Sequence, residues 1–308
     1  MNYLQLLQNI QNYAENTESL FVSNIPTFIK EAEDRIYNSV QIPALRKNVT
    51  GTLTASNPYV ALPTDWLANY SLAIVDTYGN YTYLIDKDVN FIREAYPNQS
   101  TLSAPKYYSL FGAQYSNVNE MTLMVGPTPD QSYTVEMHYF YYPPTIVQGQ
   151  IATFSGTFSQ GSNYTSGVYY SVPLTGGNGS NATATIQIVG GSVSTVTLDD
   201  GGSLYTVGDS LSFSASAIGN GTGSGFSINV ATVSNALGTS WLGDNYDPVL
   251  FYGAMREAMI FMKSDQDMVT YYEQKYQEAL MQIKRLGDGL DRNDAYRRQQ
   301  TSLPYSKL

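Results

Sequence analysis

The side chains able to do chemistry are few and scattered. The 308-residue sequence holds one histidine, His138, and no cysteine. Thiol chemistry, disulfides and cysteine-ligated metals are closed. One imidazole is too few for a two-histidine metal site and argues against a hydrolase triad. His138 falls opposite the alternating Val135, Met137, Tyr139 and Tyr141, where it reads as a surface or hydrogen-bonded strand residue. Paired carboxylates are the only catalytic apparatus present in quantity. Asp199-Asp200 are adjacent, so on a strand they point apart; they read as turn formers, with a calcium site as the other option. Asp65-Trp66, after Pro63-Thr64, suits a sugar cleft or a core anchor. The glycine-rich runs lack the Lys-Ser/Thr of a phosphate loop and lead into strands, not helices. No catalytic residue, metal or cofactor is expected.

The elements that would position such groups follow from composition. There are 16 Lys+Arg against 26 Asp+Glu, a formal net charge of -10. That acidity is a poor match to a dedicated nucleic-acid binder. With 43% hydrophobic residues the chain can bury a core, and its length allows roughly two domains. The first basic residue is Lys30, so no secretory signal is read. No stretch approaches the ~20 apolar residues of a membrane span. The expectation is a chain made in the cytoplasm, with no membrane partner.

The charge is unevenly placed. Charged residues make up 14% of the chain, where about 25% is usual. From Gln148 to Leu237 only Asp199, Asp200 and Asp209 are charged, and 16 of the 25 glycines fall there. Residues 148–237 therefore read as an insertion, and 1–147 with 238–286 as one body. Within the insertion Tyr164-Thr165-Ser166-Gly167 resembles Tyr205-Thr206-Val207-Gly208. Gly177-Asn178-Gly179-Ser180, then Ala182, Ala184, Ile186 and Ile188, resembles Gly221-Thr222-Gly223-Ser224, then Phe226, Ile228 and Val230. Two β units forming a small all-β domain rich in Gly, Ser and Thr are expected. A flexible linker is the rival, and the alternating β-branched residues argue against it.

The flanks are helical at their outer ends. Tyr3, Leu6, Leu7, Ile10, Tyr13 and Ala14 share one helix face. A second helix is expected from near Asn24, with Pro26 in its first turn, packing through Ile29, Ala32, Ile36 and Val40. Near the other end Asp247-Pro248 opens a helix. A further one packs through Val269, Tyr272, Tyr276, Ala279, Ile283 and Leu286 and closes at Gly287-Asp288-Gly289. Between the flanking helices lie strands over Ser71–Asp76, Tyr81–Ile85, Met121–Val125 and Tyr133–Tyr141, and a short helix capped by Asp88. The fold class expected is α+β: a helical bundle from both ends, a small antiparallel β portion and the inserted β domain. Residues 287–308 read as an extended arm. From Lys284 onward six basic residues face three acidic ones, so the arm is net positive in an acidic chain. It is either a solvated terminus or a segment that orders on an acidic partner. The 27 tyrosines fit contact surfaces, though some line the bundle.

Several runs together carry a resemblance. They are Tyr13-Ala14-Glu15-Asn16-Thr17-Glu18, Ile25-Pro26-Thr27-Phe28-Ile29, Ala32-Glu33-Asp34-Arg35-Ile36, Tyr59 through Trp66, and Asn245-Tyr246-Asp247-Pro248 leading into Tyr252-Gly253-Ala254. Over 1–147 and 239–286 the chain resembles the head-to-tail adaptor (connector) proteins of tailed bacteriophages, including the tail tubular protein A group of short-tailed phages. The resemblance implies a structural virion protein, not an enzyme, at the head–tail junction. It implies a ring, typically a dodecamer, that docks on the portal protein and meets a tail nozzle or tail tube protein and tail fibres. DNA would pass through the lumen without specific binding during ejection. It further implies a portal-binding arm, here Arg292, Tyr296, Arg297, Arg298, Leu303 and Tyr305. A second reading is a tail- or fibre-associated protein whose insertion binds host glycan through Tyr164, Tyr169, Tyr170 and Tyr205. A third is a virion hydrolase using scattered carboxylates.

Overall fold

A computed structural model describes residues 1–76, 78–114, 117–219 and 222–300. The chain opens with α1 (Tyr3–Ala14) and α2 (Ser19–Ser39). There follow β1 (Arg46–Leu53), β2 (Tyr59–Ala61), β3 (Trp66–Val75), β4 (Tyr81–Tyr83), β5 (Ile85–Asp86), α3 (Val89–Ala95), β6 (Tyr107–Gln114), β7 (Asn117–Gly126) and β8 (Tyr133–Tyr141). A second β stretch holds β9 (Gln150–Ser162), β10 (Gly167–Pro173), β11 (Ser180–Val189), β12 (Ser192–Ser203), β13 (Ser210–Leu211) and β14 (Ser224–Ser234). It ends with α4 (Trp241–Asn245), α5 (Asp247–Phe261) and α6 (Gln266–Gln300). The class is mixed α+β. Two compact units divide the chain: Met1–Val40 with Pro144–Arg285, and Gln41–Pro143 with the chain from Leu286 onward.

In the first unit α1 begins where Asn2 accepts from Gln5 N–H at 2.9 Å and Gln5 accepts from Asn2 N–H at 3.0 Å, a reciprocal capping box. It buries Tyr3, Leu6 and Ile10. The second helix departs from expectation. It starts at Ser19, and Pro26 lies inside it. An interior proline costs about 3 kcal/mol. Phe21, Ile25, Phe28 and Ile29 are buried on either side of it, and that packing carries the helix through. The 3.6-residue period ran upstream of the proline, where the proline masked it. Likewise α6 does not close at Gly287-Asp288-Gly289. Its backbone continues to Gln300, so the segment expected to be extended from 287 is helical as far as that residue. Two glycines cost a helix roughly 1 kcal/mol each, which weakens it without stopping it.

The strands of 148–237 share this unit with the helices, and their core is their own. Ile151, Tyr164, Ala184, Ile186, Tyr205, Leu211, Phe226 and Ile228 are among its members. They make two three-stranded sheets, ordered β10-β11-β12 and β13-β14-β9. Each sheet takes its third strand from the other half of the sequence. The pairings match: Ser180 faces Ser203 and Ala182 faces Gly201 in one sheet, while Ser224 faces Ser162 and Phe226 faces Gln160 in the other. Positions on β11 and β14 differ by 44, and those on β12 and β9 by 41, the offsets of the sequence repeat. The module is thus two halves related by a pseudo-twofold and intertwined. The sheets are tied at both edges, by the Thr175–Ser212 bridge at 2.7 and 2.8 Å and by Leu204 N–H to Gln148 O at 2.7 Å with Tyr205 N–H to Gly149 O at 2.9 Å, so few strand edges stay open.

In the second unit the sheets are β1-β8-β3-β4 and β2-β7-β6-β5. Consecutive strands β7 and β8 go to different sheets. Leu53, Leu72, Ile74, Leu123, Val125, Val135, Met137 and Tyr139 fill the core they share. In this unit α3 is capped by Asp88, which accepts from Asn90 N–H at 2.7 Å.

Candidate functional site

The groups that could have been catalytic are structurally engaged. His138 Nε2 lies 3.0 Å from Glu136, which also accepts from Asn48 at 3.0 Å and from the Tyr81 hydroxyl at 2.9 Å. Those donors hold the Glu136 carboxyl below the usual range. Asp65 pairs with Lys47 at 2.5 Å and accepts from the Tyr139 hydroxyl at 2.9 Å. Trp66 packs against the core and donates to Asn69 at 2.7 Å, so this pair anchors strands. Asp199 accepts from Thr185 at 2.9 Å and from Ser171 N–H at 3.1 Å. Asp200 accepts from Gly202 N–H at 2.8 Å and lies 3.7 Å from Lys30. These two occupy the end of β12, not a free turn. Among the described residues no group of three His, Asp or Glu could hold a metal, and no helix is long and apolar enough to cross a membrane.

What the fold does assemble is helix contact. Ile29, Ala32, Ile36, Tyr272, Tyr276 and Ile283 are all buried. Two of them meet at a residue whose packing role sequence reading missed. A Cβ at Gly253 would lie 3.0 Å from the Ala32 methyl and 3.4 Å from the Tyr276 ring. Gly253 is therefore where α2, α5 and α6 converge, and the signal for it was the small-residue pair Gly253-Ala254. Around this point Arg35 pairs with Glu257 at 2.5 Å, Arg256 with Glu257 at 2.7 Å, and Arg256 with Glu273. Gly253→Val is expected to cost about 2 kcal/mol through overpacking. Gly253→Ala should be close to neutral, its tight contact offset by helix propensity. The two denaturation midpoints, compared with wild type, check this.

The chain returning from the second unit is held in the first by a buried carboxylate. Glu33, on α2, is 3% exposed and accepts from Ile146 N–H at 2.8 Å. Asn235 donates to Thr145 O at 2.7 Å and to Thr239 O at 2.8 Å. Ile146 and Val147 are fully buried. Burial pushes the Glu33 carboxyl up to about 7, against the lowering effect of Thr145, the Ile146 N–H and Lys30.

The four tyrosines proposed for glycan do not form one surface. Tyr164 and Tyr205 are 6% and 2% exposed and belong to the module core. Tyr169 packs partly against that core, and Tyr170 alone is well exposed. Other tyrosines divide similarly. Tyr3, Tyr37, Tyr108, Tyr139, Tyr272 and Tyr276 are core residues, whereas Tyr13, Tyr70, Tyr78, Tyr81, Tyr83 and Tyr271 are exposed. Of the arm, Arg292, Tyr296, Arg297 and Arg298 lie on α6; Leu303 and Tyr305 lie outside the described residues.

Compared with known families, the model for SU10 adaptor protein matches residues 1–158. The match takes in α1, α2, all of Gln41–Pro143 and the first part of β9. No curated protein matches the chain.

Proposed function

We propose a ring-forming connector, on the premise that the chain belongs to the SU10 adaptor protein family, a phage head-to-tail adaptor family matched over residues 1–158. Its role is structural and its place is the virion. The ring, of typically twelve copies, would join the portal at the capsid vertex to the tail nozzle or tube and let DNA pass. The single observation that carries this reading is the family match. The helix contacts at Gly253 and the structural engagement of Asp65, Glu136, Asp199 and Asp200 support it.

The basic end of α6 is the proposed portal contact: Arg292, Tyr296, Arg297 and Arg298, then Leu303 and Tyr305 beyond. A net charge of -10 suits a lumen that repels phosphates, since each Lys or Arg on a phosphate adds affinity. The fibre-associated glycan reading loses its basis with Tyr164 and Tyr205 in the core. We also propose that 148–237 is a separable module. Its ends are adjacent, with Gln148 donating to Ala236 O at 2.9 Å. Deleting Gln148–Leu237 is expected to leave a folded helical body, and loss of helical circular dichroism would contradict the domain boundary.

Negative-stain microscopy of the protein with and without portal tests the function. Rings, or particles bound only to portal, are expected. Monomers indifferent to portal would overturn the reading, and truncation after Leu286 should weaken docking.

A further inference from the structure

Among the described α-helices, α1 alone carries no charged residue. Yet it is not enclosed. Leu4 is 52% and Tyr13 62% exposed, and Gln5, Gln8 and Asn12 beside them are exposed too. An exposed helix face ordinarily carries charge, as α2, α5 and α6 do. The neutrality extends to the helix start, where an acidic residue would be stabilised by the helix dipole. There the capping box is completed by Gln5 where glutamate serves equally. The face is also not flat. Two clefts open on it, one lined by Leu4, Gln5 and Gln8 and the other reaching Pro248, Phe251 and Tyr252, and Asp247 is the charged side chain lining each. Tyr13 is pre-set at the rim, edge-on to Phe251 at 5.0 Å between ring centres.

We propose that this face of α1 is the seat of a neighbouring copy of the chain. The inference rests on the ring reading and names its contact surface. The occupant follows from charge. Copies carrying -10 each repel one another, and like charges brought together across an interface disfavour the contact. A second copy is the partner against which an uncharged face is needed; a basic partner would be met by acidic residues. Exposed tyrosine and few charges are the composition of an interface core. A closed ring of more than two copies needs a head-to-tail contact, so this face would meet a different surface of the next copy.

The test uses the full chain with Gln5→Glu, Gln8→Glu and, separately, Gln8→Cys, which gives a single thiol in a cysteine-free protein. Gln5→Glu is expected to raise the thermal midpoint of the unassembled protein while raising the concentration at half-assembly at least tenfold. Gln8→Glu should weaken assembly equally. A merely structural role for Gln5 would not move stability and assembly in opposite directions. In assembled rings, maleimide labelling of Gln8→Cys should slow at least tenfold, with Thr195→Cys on the module as the unprotected control. Rings of the Gln8→Cys variant that label at full speed overturn the inference and leave the ring reading standing. Protection by portal in a complex without rings assigns the face to portal and also overturns it. Wild type that neither forms rings nor binds portal sinks both.

Discussion

Alanine at Gly223 is expected to disrupt the β module at a cost of about 3 kcal/mol, the upper range of overpacking. A Cβ there would enter the ring of Tyr164. That ring cannot swing aside. It is 6% exposed, it lies 5.2 Å from the Phe213 ring, and its hydroxyl accepts from Phe226 N–H at 3.2 Å. The other half repeats the arrangement. A Cβ at Gly179 would meet the Tyr205 ring and the Ser203 carbonyl oxygen, so Gly179→Ala should cost a similar amount. Each tyrosine of one half thus occupies the space left by a glycine of the other. Gly156→Ala is the control, because nothing lies within 4 Å of its Cβ position. Denaturation of the three variants should show two large, matched losses and one near-neutral change. A neutral Gly223→Ala would remove the steric argument. Losses differing several-fold between Gly179 and Gly223 would remove the equivalence of the halves.

Glutamine at Glu33 is expected to make the protein more stable above pH 7 and to flatten its pH dependence. The folded carboxyl titrates at about 7 against an ordinary 4.5. Between these values the folded state holds more protons than the unfolded state. Stability therefore falls as pH rises from 4.5 to 7, by roughly 3 kcal/mol in all. Below 4.5 the penalty is absent and above 7 it is complete. Glu33→Gln keeps an oxygen to accept from Ile146 N–H and carries no charge to bury. Glu33→Ala instead orphans that buried N–H, at about 1–3 kcal/mol, at every pH. Urea midpoints of the three proteins at pH 5 and pH 8 check the sign. A wild-type midpoint unchanged between those pH values would refute it.

The adaptor family, the mixed α+β class and the position of α1 were legible because each depends on local pattern. Tyr3, Leu6 and Ile10 mark a helix face by spacing alone. Val135, Met137 and Tyr139 mark a buried strand face the same way. Polar strands were harder. β1, Arg46–Leu53, shows six consecutive exposed positions, so no apolar alternation announces it, and its pairing with β8 defines it. Pro26 and Gly287 misled for a related reason. Both are local breakers. The helix passes Pro26 because burial on its flanks outweighs about 3 kcal/mol, and a glycine costs a helix only about 1 kcal/mol; local sequence reports neither balance.

By itself the sequence determined that this protein has no thiol, no metal cluster built on histidine pairs and a nearly uncharged middle containing two related halves. Those are facts of composition and repeat. Only the tertiary structure decided that the halves exchange strands and that Tyr164 and Tyr205 are buried keys, not ligand platforms. Only it decided that Glu33 is enclosed with a backbone N–H, and that the neutral side of α1 is left open. Each of these depends on which surfaces meet across long stretches of chain. A repeat read along the sequence cannot distinguish a strand that completes its own half from one that completes the other, because both satisfy the same alternation.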